Sequence, residues 1–268
     1  MPVQTVDGIE VHIDGRGPTV LMLHGWPDTH RLWDPQVAAL RDSHRCARFT
    51  LPGFAPGHRK QAFSLDEVVG VIARVIDALS PDAPVTLLLH DWGCFFGCQA
   101  AMRRPQRVAR VIGVDVGDAG STRHLKEMGA AAKAATLGYQ LWLAAAWRIG
   151  GAVGDRMARE MARRAHAPAD PREVHAQMGY PYAVQWTGAA GGYRKLRRFA
   201  PHCPLLFIYG ERKPFMLHSR AWADEVAARP GSRVLGFDCG HWLMVQRRER
   251  FNAAVLDWLK ETQRAAEG

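Results

Sequence analysis

Asp91 lies between a predicted strand and a predicted helix, a position typical of a nucleophile. It directly follows the apolar run "VTLLLH" (85–90) and precedes "WGCFFGCQAAMRR" (92–104), which has helical spacing. A strand, a turn with a polar residue at its apex, then glycine and a helix is the layout of a nucleophile elbow. A carboxylate at the apex can attack carbon and form an ester. The alternative is that Asp91 only caps the helix.

Two further segments favour the catalytic interpretation. The backbone N–H of Trp92 begins the predicted helix, and "LHGWP" (23–27) places the N–H of Trp26 after another strand. Two such N–H groups form an oxyanion hole. His241, in "DCGHW" (238–242), follows the last predicted strand and comes after the nucleophile in chain order, as a general base does in this layout.

These residues need a sheet to bring them together. Strands and helices alternate, and the strands are almost wholly apolar, which is typical of a parallel sheet covered on both faces. The alternation stops between residues 117 and 200, where Ala, Met, Arg and Trp recur with helical spacing. We therefore predict an α/β fold with its core at 1–116 and 201–268 and a helical cap at 117–200.

Composition narrows the class further. The 268 residues are 47% hydrophobic, with no basic leader followed by an apolar run and no segment that predicts a membrane span. The five cysteines form no CxxC pair, so we expect a cytoplasmic protein without disulfides, metal or cofactor. The net charge of +9 comes from arginine clusters at 156–164 and 193–198, which we interpret as solvated helix faces and not as a nucleic-acid site. The oligomeric state is left open.

The motifs "HGWPD", "HDWG" and "GHW" together resemble the α/β-hydrolase superfamily, and within it the epoxide hydrolase and haloalkane dehalogenase branch. The resemblance covers nearly the whole chain. It implies that Asp91 forms an alkyl ester and that His241 activates water to hydrolyse it. Epoxide hydrolases add two cap tyrosines that protonate the epoxide oxygen.

Two segments of the predicted cap resemble the tyrosine segments of epoxide hydrolases. "GYQLW" (138–142) supplies Tyr139, and "GAAGGYRKL" (188–196) supplies Tyr193, although Gly191 and Gly192 replace the usual Asn-Trp. We predict that Tyr139 and Tyr193 share the epoxide oxygen. Tyr180 and Tyr182, in "GYPYA", are the competing candidates.

The triad acid departs from the epoxide hydrolase pattern. The usual aspartate follows the "YG" strand, but Lys213 occupies that position in "GERKP" (210–214). A lysine cannot orient an imidazole as a carboxylate does. Some haloalkane dehalogenases instead place the acid at the end of the strand that follows the elbow helix, where this chain has Asp115. We predict Asp115, with Asp118 and Glu211 as alternatives.

Three functions remain. The first is hydrolysis of a small apolar epoxide by water to a vicinal diol. The second is haloalkane dehalogenation by the same aspartate, in which a halide would be bound by Trp92 with an asparagine or a second tryptophan. The third is a non-catalytic binding protein on a hydrolase scaffold, which the lysine at position 213 keeps open.

Overall fold

A computed structural model describes residues 2–57, 60–118 and 121–267. Eight strands form one sheet in the order β1-β2-β4-β3-β5-β6-β7-β8. The strands are β1 (Val3–Val6), β2 (Ile9–Asp14), β3 (Thr19–Leu23), β4 (Arg45–Phe49), β5 (Val85–His90), β6 (Val108–Val114), β7 (Leu205–Gly210) and β8 (Arg233–Phe237). β2 pairs antiparallel with both of its neighbours, β1 and β4, and the remaining neighbours are parallel.

Ten α-helices accompany the sheet in the described residues. They are α1 (Asp34–Leu40), α2 (Leu65–Leu79), α3 (Trp92–Arg103), α4 (Arg123–Glu127), α5 (Ala130–Ile149), α6 (Gly151–Arg164), α7 (Tyr180–Thr187), α8 (Arg220–Ala227), α9 (Leu243–Gln246) and α10 (Arg248–Glu267). Ser64 begins α2 with a capping box, in which its hydroxyl accepts from the Glu67 N–H and the Glu67 carboxylate accepts from the Ser64 N–H.

Successive side chains of a strand point to opposite faces of the sheet, and in the parallel strands both faces are covered by helices. Leu21 and Leu23 of β3 pack in one cluster, which includes side chains of α2, α3 and α8. Val20 and Met22 pack in the other, which includes side chains of α1 and α10. The predicted α/β-hydrolase fold is therefore observed, with helices flanking a mostly parallel sheet.

The helices α4 to α7 all lie between β6 and β7, within the segment predicted as a cap. This segment does not continue the strand–helix alternation. α5 packs against both α6 and α7, and an isolated bridge joins Val116, just after β6, to Leu217, in the loop after β7. Of the helices that the structure describes, none is long and apolar enough to cross a membrane.

Candidate active site

Asp91 occupies a strained turn at the carboxyl end of β5. Its backbone has φ 53° and ψ −120°, and α3 begins at the next residue. A non-glycine residue in this region of the backbone map is held there by its surroundings. Gly93 permits the turn, since a Cβ at that position would lie 2.3 Å from the Leu23 carbonyl oxygen. The elbow therefore depends on close contact between α3 and the end of β3.

One oxygen of the Asp91 carboxylate accepts a backbone hydrogen bond. The Trp26 N–H donates to Oδ1 at 2.7 Å. Gly25 lies against the same place, because a Cβ there would be 2.2 Å from Oδ1 and 2.6 Å from the Trp92 backbone nitrogen. Of the two N–H groups predicted for the oxyanion hole, that of Trp26 therefore contacts the carboxylate, and the contribution of the Trp92 N–H stays a prediction.

His241 faces the other oxygen of Asp91. The distance from its Nε2 to Asp91 Oδ2 is 3.7 Å, which is too long for a hydrogen bond. On its opposite side, Nδ1 is hydrogen-bonded to Asp115 Oδ2. Burial disfavours the imidazolium, but the charges of Asp115 and Asp91 outweigh it and raise the pKa of His241 to about 9.

Asp115 is the carboxylate that the structure places against His241. It follows β6, has φ 68° and is fully buried. Burial raises the pKa of its carboxyl, but the charges of Lys213 and His241 dominate and hold that pKa well below its usual range. The chain therefore has a buried, ionised acid within hydrogen-bonding reach of the histidine, with a role that stays a prediction.

The two alternative acids lie elsewhere. Asp118 is also buried, but its Oδ2 accepts a hydrogen bond from the Ser219 hydroxyl at 2.7 Å, at the start of α8. Glu211 is exposed, and its carboxylate lies so close to Gly236 that a Cβ there would be 2.1 Å from Oε1. The described contacts of these two carboxylates do not include His241.

Two tyrosine rings come together above Asp91. Tyr139 of α5 and Tyr182 of α7 pack edge to face with centroids 5.9 Å apart, and the Tyr182 ring also contacts Trp92 at 5.1 Å and Trp26 at 6.3 Å. Burial, followed by the charge of Asp91, raises the pKa of Tyr182 well above its usual value. Burial likewise raises the pKa of Tyr139 to about 12. Both phenols are therefore neutral donors at ordinary pH.

Tyr193 and Tyr180 use their side chains differently. The Tyr193 hydroxyl donates to the Pro181 carbonyl at 3.2 Å, and its ring packs on Phe95 at 4.7 Å. Tyr180 is fully buried against Phe54 and contributes to the core. Of the two competing candidates, only Tyr182 lines the space beside Asp91. The segment "GYPYA" carries no epoxide hydrolase motif, so the sequence gave no reason to prefer Tyr182 to Tyr193.

Two cavities meet at Asp91. The histidine-side cavity, of about 570 Å³, is lined by Trp26, His241, Lys213 and Phe215 among others. The cap-side cavity, of about 810 Å³, is lined mainly by apolar side chains, including Trp92, Phe95, Met128, Leu137, Trp186 and Leu196. Asp91, Tyr139, Tyr182 and Leu217 line both cavities. A molecule bound at Asp91 can therefore extend to either side of the two tyrosines.

A nucleophile, an acid and a histidine at the carboxyl ends of neighbouring strands define the α/β-hydrolase architecture. The family described as alpha/beta hydrolase fold matches residues 18–247, and the chain belongs to this family.

Individual relatives are similar over parts of their length. An epoxide hydrolase of Caballeronia sordidicola is 33% identical over 116 residues, which are 41% of this chain and 35% of that protein. A probable oxidoreductase EphD of Mycobacterium tuberculosis is 34% identical over 116 residues, 41% of this chain and 19% of that protein. The chain thus matches about a fifth to a third of the length of these relatives.

A solved structure is similar over the whole chain. The epoxide hydrolase of Bacillus megaterium, in complex with an inhibitor, superposes with a TM-score of 0.72 at 19% identity, covering 97% of this chain and 100% of the other. At that identity the likeness shows the shared fold.

Proposed function

We propose that the protein is an epoxide hydrolase that opens an apolar epoxide to a vicinal diol through an ester on Asp91. The observation that carries the proposal is that the partly buried carboxylate of Asp91 lies beside His241 and beside two neutral phenols, those of Tyr139 and Tyr182. The similarity to named epoxide hydrolases supports it. The second phenol proposed here is Tyr182, because the hydroxyl of Tyr193 is bonded to the Pro181 carbonyl.

In the first step, Asp91 Oδ2 attacks one ring carbon. The carbon–oxygen bond on that side breaks, and the epoxide oxygen takes a proton from the Tyr139 or Tyr182 hydroxyl. An alkoxide is a poor leaving group, so this proton lowers the barrier. The Trp26 N–H, 2.7 Å from Oδ1, keeps the carboxylate oriented for attack.

In the second step, His241 Nε2 removes a proton from water, whose oxygen adds to the carbonyl carbon of the Asp91 ester. The oxyanion forms on Oδ1, among the N–H groups of Trp26 and Trp92. The bond to the alkyl oxygen then breaks, and that oxygen takes the proton held by His241, which completes and releases the diol. Asp91 is left as a carboxylic acid, and its proton returns to the tyrosinate formed in the first step, so that both groups are restored. Ester formation also removes the negative charge of Asp91, one of the charges that raise the pKa of His241. The pKa of the His241 imidazole is therefore lower once the ester exists.

The cavity walls support an apolar substrate. The cap-side cavity has room for a drug-sized body and is lined mainly by aromatic and aliphatic side chains, with Asp91 as its carboxylate. An aryl glycidyl ether or a styrene-type epoxide satisfies both conditions.

Oxygen labelling tests the ester. A stoichiometric amount of aryl epoxide should be converted in ¹⁸O-water, followed by mass spectrometry of the Asp91 peptide and of the diol. Label should enter the Asp91 carboxylate in the first turnover, while the diol carries unlabelled enzyme oxygen. Label appearing directly in the first diol would reject the mechanism. Asp91→Asn should form no ester while unfolding in urea like the wild type.

Dehalogenation is the second candidate, favoured by one observation. The indole N–H groups of Trp26 and Trp92 are buried and have no hydrogen-bond partner in the part of the chain that the structure describes. Two indole donors beside the nucleophile resemble a halide site. Halide release from a bromoalkane, with bromide quenching of tryptophan fluorescence, would support this function. Diol formation without halide turnover would support the first.

A further inference from the structure

Lys213 follows β7, in the loop where the resemblance to epoxide hydrolases places an acid. Its side chain is only 8% exposed, and its ammonium nitrogen lies 2.5 Å from Asp115 Oδ1. A buried lysine is costly unless it is paired with a charge. The loop therefore brings a buried cation to the carboxylate that contacts His241.

The contacts of Asp115 divide between its two oxygens. Oδ1 accepts from the Lys213 ammonium and from the Gly210 N–H, the latter at 2.8 Å. Oδ2 accepts from His241. With two donors on Oδ1, the carboxylate is held in the orientation that leaves Oδ2 for the histidine.

The charges around His241 change during the proposed reaction. Asp91 and Asp115 are the carboxylates that raise its pKa. The His90 ring, with its centroid 4.4 Å away, is neutral because burial lowers its pKa to about 3. Burial raises the pKa of Asp28 to about 7, and the nearby charge of His241 acts in the opposite direction on that carboxyl.

Lys213 is the cation beside Asp115 and His241. Its charge also acts on His218, and burial together with that charge lowers the pKa of His218 to about 4. Once Asp91 is an uncharged ester, the pair of Asp115 and Lys213 is what remains closest to the imidazole. That pair is electrically neutral as a unit. Without Lys213, the lone charge of Asp115 would keep His241 protonated to higher pH.

We propose that Lys213 is a positioning residue for the triad, which holds Asp115 toward His241 and balances its charge so that His241 is a free base during ester hydrolysis at neutral pH. The lysine at the usual acid position thus supports the contact between Asp115 and His241, and its presence there is compatible with catalytic activity. The proposal rests on the proposed function for its catalytic meaning, but the contact itself is independent of any substrate.

The charge balance is measurable without turnover. In Asp91→Asn, position 91 is uncharged, as it is in the ester, and the pKa of His241 can be followed by NMR of its ring nitrogens. Adding Lys213→Met should raise that pKa by about one unit, the scale of one nearby charge. Lys213→Gln in the same background can still donate to Asp115 and should raise the pKa of His241 by a similar amount. This second variant tests the proposal if Lys213→Met does not fold.

Arg212→Met is the matched control. It removes a charge from the same loop, but the guanidinium is exposed and paired with Asp238. Its effect on the His241 pKa should be less than a third of the Lys213→Met effect. A shift that is absent in both Lys213 variants, or equal in Arg212→Met, would overturn the proposal.

Kinetics separate this proposal from the proposed function. In single turnovers of an accepted epoxide, Lys213→Met should move the pH midpoint of ester hydrolysis upward by about one unit, with ester formation unchanged within about threefold. A rate loss at every pH without a shifted midpoint would show a merely structural lysine. If no epoxide reacts at all, the proposed function fails while the NMR titration still decides the role of Lys213.

Discussion

At the scale of single residues, Asp115 is the carboxylate whose removal should separate the two half-reactions. It bonds to His241 Nδ1 and so leaves Nε2 free to take a proton from water. Attack by Asp91 needs no proton removed, so Asp115→Asn should form ester normally and hydrolyse it more slowly, by roughly 10⁴-fold as in serine triads. Mass spectrometry during turnover should find the alkylated protein accumulating.

Glu211→Gln is the control for that prediction, because Glu211 is exposed and contacts Gly236. It should hydrolyse the ester within about tenfold of the wild-type rate, a difference of roughly 1.4 kcal/mol in the barrier. Ester accumulation in Glu211→Gln with normal turnover in Asp115→Asn would assign the acid to the loop after β7.

The tyrosines give a second prediction at this scale. Tyr139→Phe and Tyr182→Phe should each slow ester formation by about 10–1000-fold, since each removes a proton donor above Asp91. Tyr193→Phe should stay within about tenfold of wild type, because its hydroxyl is bonded to the Pro181 carbonyl. Rapid-quench measurement of ester formation distinguishes the three variants. A large loss in Tyr193→Phe, with an active Tyr182→Phe, would restore the pairing predicted from sequence.

At the scale of elements, the site is made by the loops that follow five neighbouring strands. Trp26, Asp91, Asp115, Lys213 and His241 follow β3, β5, β6, β7 and β8 respectively. These strands are parallel, so their carboxyl ends lie at one edge of the sheet. The spacing between strands therefore sets the distances between these five residues.

Gly25 connects β3 to the elbow and should tolerate no side chain. An alanine Cβ there would lie 2.2 Å from Asp91 Oδ1, so the loop must move and the Trp26 N–H with it. Gly25→Ala should reduce ester formation by at least about 100-fold, the scale of a lost oxyanion donor. Gly113→Ala, within β6, is the control because its nearest contact is an ordinary 3.5 Å.

Both glycine variants should be compared by circular dichroism and by single-turnover kinetics. The expected result is a folded but slow Gly25→Ala and a Gly113→Ala within a few-fold of wild type. An active Gly25→Ala would show that the close approach of the two loops is not needed for attack.

At the scale of the whole molecule, the basic surface is organised mainly by ion pairs. Glu160 accepts from Arg163 and Arg164 on α6, while Lys195 pairs with Asp66 of α2 and Arg198 with Glu225 of α8. Exposed pairs of this kind contribute little to stability individually. They do connect the segment after α7 to helices that pack on the sheet.

The pH dependence of global stability should reveal the buried Asp28. Its carboxylate accepts from Trp242 Nε1 at 2.9 Å, and burial raises its pKa to about 7. The folded protein therefore binds the Asp28 proton more tightly than the unfolded chain does. The protonated carboxyl contributes its full share to the free energy of unfolding below the ordinary pKa of 3.8, and that contribution is lost as the pH rises toward about 7. Asp28→Asn should therefore stabilise the protein by roughly 2–4 kcal/mol more at pH 8 than at pH 4.

Urea unfolding at several pH values measures that difference. Asp42→Asn, at an exposed aspartate after α1, should leave the pH profile of stability unchanged. If the free energy of unfolding of Asp28→Asn changed with pH in parallel with that of the wild type, the pKa of Asp28 would be the same in the folded and unfolded chains and the prediction would be wrong.

Local patterns in the sequence determined much of this protein. The apolar strands, the elbow at Asp91, the capping box at Ser64 and the position of His241 after the last strand are readable from neighbouring residues, because strand burial, turns and caps depend on local chain geometry. The sequence also indicated the family, and the match over residues 18–247 confirmed it. β1 was not predicted, since four residues with alternating exposure give a weak signal.

Only the tertiary structure decided which side chains share a contact. The sequence favoured Tyr193 over Tyr182, and their hydroxyls are distinguished only by how α7 and the segment after it pack on the core. Lys213 and Asp115 are far apart in the chain and meet because β6 and β7 are neighbours in the sheet. Such contacts depend on strand order and loop packing, which no local pattern of residues encodes.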